Sequence, residues 1–123
     1  MAKNENYNVE ILSAWGSCEK AMFQKQAEKG DITSQKIEEF INAVVTINGY
    51  ATTKITTKDK EFELNYFVTD KGIMSTGSKV FLDSIKDYIE DTKLFKVLKI
   101  KTKKGYTYKA QPIEIDDETG VAQ

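Results

Sequence analysis

The sequence predicts a mainly β fold with one or two helices, and three observations carry that reading. Glu61 to Thr69 alternates strictly, with Phe62, Leu64, Tyr66 and Val68 to one side and Glu61, Glu63, Asn65, Phe67 and Thr69 to the other, the two-residue period of a strand. Short polar turns, Lys58-Asp59-Lys60, Asp70-Lys71-Gly72 and Lys103-Lys104-Gly105, separate runs rich in Thr, Tyr, Ile and Val, as hairpins require. One well-formed helical stripe, Phe81, Leu82, Ile85, Tyr88 and Ile89, interrupts the strands.

Taken in order, Tyr7 to Trp15 reads as a strand with Val9, Ile11 and Ser13 on one face. Cys18 to Glu28 leans helical, with Cys18, Met22 and Phe23 about one turn apart, and Gly30-Asp31 ends it. Ile37, Phe40, Ile41, Val44 and Val45 fit the amphipathic helix template, yet Ala43 to Ile47 is also β-branched. Two readings stay open there: a helix ending near Val44, or a long bent strand from about Phe40 to Thr57 with Gly49 at its bend. Thr53–Thr57 and Glu61–Thr69 form a hairpin, and Ile73 to Thr76 adds a short third strand. Ser78 then caps the Phe81–Ile89 helix. Leu94 to Thr102 and Tyr106 to Ile115 make a last hairpin, with Pro112 marking its second strand as an edge.

Residues 40–115 thus give strand, strand, strand, helix, strand, strand. That is the order of the OB-fold, a five-stranded barrel that binds extended chains across its second and third strands, flanked by the loops between strands one and two and strands four and five. Residues 1–36 are expected to be an N-terminal extension packing on or linking to the core, 37–115 the OB-like domain, and 116–123 an acidic flexible tail.

Composition narrows the function. All 18 basic residues are lysines, and there is no histidine. The side chain that most often moves protons near neutral pH is therefore missing, and so is the bidentate guanidinium fork that reads guanine or clamps a transferring phosphate. Cys18 is the sole cysteine, which removes intrachain disulfides and Cys-based zinc sites; it reads as a small packed side chain. No phosphate-cradling Gly-x-x-x-x-Gly-Lys-Ser/Thr run exists, and Asp70-Lys71-Gly72 is too short for a calcium loop. Catalysis is disfavoured, and no metal or cofactor is expected; a nuclease would have to build its metal site from Glu61, Glu63 and Asp70. The Met1-Ala-Lys-Asn-Glu-Asn start has no apolar signal core, and no run is long and apolar enough for a membrane span, so a cytoplasmic location is expected.

The formal net charge of −1 conceals a segregated distribution. Leu94 to Ala110 holds six lysines and no acid, whereas Glu114, Asp116, Asp117 and Glu118 follow with no further lysine. In an OB-fold the flanking loops would be Thr57–Lys60 and Lys101–Lys109, and the second interleaves lysines with tyrosines. Cations that track phosphate beside flat rings that stack any base are what single-strand binders use. The candidate DNA-contacting residues are Lys58, Lys60, Lys99, Lys101, Lys103, Lys104 and Lys109 for phosphates, and Tyr50, Phe67, Tyr106 and Tyr108 for bases. Trp15 reads as packing. The rival reading is a protein-interaction module that docks another protein through an exposed strand edge or its N-terminal segment, with the lysines as edge-strand protection.

The strings Val45-Thr-Ile-Asn-Gly-Tyr-Ala-Thr52 and Glu63-Leu-Asn-Tyr-Phe-Val-Thr-Asp-Lys-Gly-Ile-Met-Ser-Thr-Gly-Ser78 resemble the single-stranded DNA-binding proteins of lactococcal phages, and the likeness runs from Leu12-Ser-Ala-Trp-Gly16 to the last strand. The resemblance implies an OB-like core, sequence-independent binding of single-stranded DNA, a homodimer, and a part in phage replication or recombination in the cytoplasm of an infected bacterium, with phage or host recombination proteins as further partners. One departure stands out. Bacterial relatives end in acids and a Pro-Phe type tip that docks partners, whereas Asp116-Asp117-Glu118 is followed here by Thr-Gly-Val-Ala-Gln.

Overall fold

The computed structural model describes residues 7–90 and 92–113; the proposed acidic tail lies outside them. The chain forms β1 (Tyr7–Gly16), α1 (Lys20–Lys29), β2 (Gln35–Lys36), a single 3₁₀ turn (Ile37–Phe40), β3 (Val44–Thr57), β4 (Glu61–Thr69), β5 (Gly72–Thr76), α2 (Lys79–Lys86), β6 (Leu94–Thr102) and β7 (Gly105–Pro112). The strands make one curled, half-barrel mixed sheet in the order β2-β5-β4-β3-β6-β7, with β1 also on β3. No helix among the described residues is long and apolar enough to cross a membrane.

β3 organises the sheet. Its first residues, Val44–Thr46, pair with β6 at Leu94–Lys96, and the remainder pairs with β4 on one side and β1 on the other. Of the two readings for residues 37–57, the bent strand is the one formed; the helical spacing of Ile37 and Phe40 supports only one 3₁₀ turn, both residues being buried. The bend sits at Gly49, where the register with β4 shifts. A Cβ there would lie 2.6 Å from the Ser17 nitrogen and 2.7 Å from the Trp15 carbonyl oxygen. Two backbones cross too closely for any side chain, and a bulge with glycine is the consequence.

That bulge reverses which residues face inward. Before it, Val45 and Ile47 join the inner core with Phe67, Met74, Phe81, Ile85, Phe95 and Val97; after it, Tyr50 lies against this core while Ala51 belongs to a second cluster on the outer face. α1 covers that outer face, where Phe23 and Ala27 pack with Ile11, Cys18 and Ala51 against Tyr66 and Val68. β4 is therefore sandwiched along Leu64–Thr69, with Asn65, Phe67 and Thr69 buried and the residues between them half-buried. A register shift between Ile11 and Ser13 also turns Ser13 out to solvent, so it does not share the face of Val9 and Ile11.

α1 guards a sheet edge as well. The Gln24 carboxamide donates to the Val9 carbonyl at 2.8 Å and accepts from the Ile11 N–H at 2.8 Å, as a neighbouring strand would, so the rim of β1 is partly satisfied from within. α2 plugs the inner face. The Ser78 hydroxyl accepts from the Phe81 N–H at 3.1 Å, giving the expected N-cap, and the Phe81 ring meets Phe67 edge-on at 5.2 Å. Ser84 pins the helix to β7 by accepting from the Ala110 N–H at 2.9 Å. The helix closes at Lys86, before its apolar stripe completes, which leaves Tyr88 exposed rather than buried with Ile89.

Candidate nucleic-acid interface

The β6–β7 hairpin carries the densest group of the expected contact residues. Phe95, Val97 and Ala110 anchor one of its faces in the inner core, and alternation continues that face outward through Lys99 and Lys101 on β6 and Tyr108 and Tyr106 on β7. The register sets Lys99 opposite Tyr108 and Lys101 opposite Tyr106, so each cation has a ring as its cross-strand neighbour. Tyr106 is 62% exposed, and the Lys99 ammonium lies 4.7 Å from its ring centroid. Such a contact at an exposed site contributes about 0.5–1 kcal/mol, which a nucleobase can readily replace. Lys103 and Lys104 form the exposed tip, where the Lys104 N–H donates to the Thr102 hydroxyl at 3.3 Å.

A carboxylate enters this group from elsewhere. Glu38, on the 3₁₀ turn, accepts from the Lys99 ammonium at 3.1 Å and from the Tyr108 hydroxyl. The turn follows β2, at one end of the strand path, while β7 is at the other, and among the described residues no ladder joins the two ends. Glu38 thus ties the turn that follows β2 to both strands of the β6–β7 hairpin.

Other expected residues are placed differently. Phe67 is fully buried at 0% exposure in the inner core, so it is not a stacking ring: β4 alternates as its sequence predicts, but the face carrying Phe67 is the one α2 seals. Tyr50 is half-buried, stacked on Trp15 at 5.8 Å with an 18° interplanar angle, and burial raises its hydroxyl pKa. Trp15 packs on the inner core as expected, with the Lys93 ammonium 5.8 Å from its ring. Lys109 lies opposite Leu98, on the reverse face of the hairpin from Tyr106 and Tyr108.

Lys58 and Lys60 sit at the β3–β4 turn, held by reciprocal contacts in which the Thr57 hydroxyl donates to the Lys60 carbonyl and accepts from its N–H, both at 3.0 Å. β3 runs toward this turn, whereas β6, antiparallel to the start of β3, runs away from it. The two lysine-bearing tips therefore leave β3 in opposite directions.

Near the β3–β4 tip the structure assembles residues that sequence reasoning did not select. Phe62, with the Lys60 ammonium 5.2 Å from its ring, joins Tyr66, Val9, Ala27, Ile32, Ile55 and Thr57 around a groove of mixed polarity, about 370 Å³, beneath the end of α1. The alternation of β4 did place Phe62 and Tyr66 together; what it lacked was which side faces out. Among the described residues, no three groups able to hold a metal ion come together, Glu61, Glu63 and Asp70 included. No protein family matches this chain, and neither does any curated protein or solved structure.

Proposed function

We propose that this protein binds single-stranded DNA without sequence preference, through the face of the β6–β7 hairpin that carries Lys99, Lys101, Tyr106 and Tyr108. The observation that carries the proposal is their cross-strand alternation, lysine opposite tyrosine twice over, on a solvent-facing extension of a core-anchored ladder. Ammonium groups neutralise phosphates as point charges, and the exposed tyrosine offers a π-face that every base can use. Lys103 and Lys104 extend the cationic track, and Lys109 adds charge from the reverse face. Lys58 and Lys60, beside Phe62, form a separate second contact at the far end of β3.

Strand connectivity supports an OB-type reading: ladders β3–β4, β4–β5, β3–β6 and β6–β7, with α2 between β5 and β6, follow the five-strand order. In this reading β2, on the free edge of β5, stands where the closing contact to the last strand would form, and α1 occupies part of the outer face that such barrels leave open. The role follows the resemblance to phage single-stranded DNA-binding proteins: a dimer coating DNA during replication or recombination inside an infected bacterium.

The test is a fluorescence titration with oligo-dT at two salt concentrations, with duplex DNA as comparator. Affinity for the single strand should fall steeply with salt, log K losing ~0.7 per log unit of salt for each phosphate neutralised. Replacing both tip lysines (Lys103→Glu with Lys104→Glu) should abolish binding; equal, weak binding by wild type at both salts would end the idea. The groove beneath α1 favours a second reading, in which an apolar side chain of a partner protein docks there. Under that reading the tip variant retains its function.

A further inference from the structure

We infer that Glu38 is a built-in competitor for a phosphate subsite formed by Lys99 and Tyr108, so that single-stranded DNA must displace it to engage the hairpin fully. The inference rests on the proposed function and adds the subsite and its resident occupant. An ammonium N–H and a phenolic O–H converging on one carboxylate, as Lys99 and Tyr108 converge on Glu38, present the same donors that a phosphodiester oxygen accepts. Glu38 is held in position by its neighbours: Ile37 and Phe40, on the same turn, are buried in the inner core, and Gln35 and Lys36 pair with β5. The competitor is also weakly bound. The ion pair is partly open to water, with side-chain exposures of 33% for Lys99 and 47% for Glu38, the setting in which ion pairs stabilise least. A ligand bringing several phosphates can therefore exchange one carboxylate contact for a phosphate contact and free the hairpin from the turn.

The decisive variant is Glu38→Gln, which keeps the shape and the acceptor oxygen but removes the charge, with Glu39→Gln as control for the loss of one negative charge on the same exposed turn. Glu38→Gln should bind oligo-dT about twofold to fivefold more tightly than wild type, as loss of an exposed ion pair permits, and Glu39→Gln should show a smaller change. In a parallel NMR titration of the wild-type protein, the Glu38 amide should shift together with those of Lys99 and Tyr108. If Glu38→Gln binds no more tightly than Glu39→Gln, or if the Glu38 amide stays fixed while the hairpin shifts, the competitor does not exist. The failure of the underlying reading looks different: wild-type protein that ignores oligo-dT, or binding that survives Lys99→Glu with Lys101→Glu, removes the subsite itself.

Discussion

The two lysine-tipped hairpins have nearly the same ingredients, and the layer above each decides what those ingredients can do. At the β3–β4 tip, Lys58 and Lys60 precede Phe62 and Tyr66, and α1 lies over that face, so the rings line a groove. At the β6–β7 tip nothing among the described helices covers the corresponding face, and Tyr106 projects to solvent beside Lys99. Composition near a turn is thus a poor guide to a binding surface. What matters is whether another element has already buried the rings.

The contrast can be broken most forcefully at Phe67. Truncating this buried ring (Phe67→Ala) should cost about 3–5 kcal/mol of stability, because it removes core contacts and leaves a cavity against Phe81; denaturant unfolding reads this directly. Retained stability would show that the inner face is open after all. The covered side can be probed through Cys18, whose thiol is fully buried and pushed up to about 11 by desolvation, with a hydrogen bond involving the Val68 backbone partly opposing. Its folded pKa is raised above the ordinary 9.0, so the unfolded chain loses this proton first. The associated stability is complete below about pH 9 and is lost as pH rises toward 11, amounting to roughly 2–3 kcal/mol over the window. Unfolding free energies of wild type and Cys18→Ala, measured across that range, should diverge accordingly; parallel curves would mean that α1 does not seal the thiol. A smaller effect is expected at Tyr106. Tyr106→Ala should leave stability within about 0.5 kcal/mol, as at most surface positions, while weakening oligo-dT binding by ~1–3 kcal/mol. A loss of stability instead would make Tyr106 a packing residue.

These contrasts also mark how far the sequence could be read. Strand boundaries were legible because turn chemistry punctuates them: the glycines at Gly72 and Gly105 adopt positive φ, and Ser78 caps α2 as its side chain requires. Which face points inward was not legible. Tyr50 and Ile47 would lie on opposite faces if β3 were regular, and the bulge at Gly49 shifts the alternation by one and brings both to the inner core. In β4, Tyr66 and Phe67 are both covered, one by α1 and one by α2, so an aromatic on either face looks the same in sequence. The turn at Ile37–Phe40 followed helical spacing for too short a stretch to specify a helix. Glu38 was out of reach for a different reason: its partners lie 61 and 70 residues away, and no local pattern encodes a contact over such a separation.

Lysine acetylation, mapped by mass spectrometry with and without bound oligo-dT, compares the two hairpins in one experiment. Bound oligo-dT should strongly protect Lys99, Lys101, Lys103 and Lys104, protect Lys58 and Lys60 less, and leave Lys20, Lys25 and Lys29 on α1 as reactive as before. Protection concentrated on α1 and the β3–β4 turn, with the β6–β7 lysines still reactive, would contradict binding through the β6–β7 hairpin.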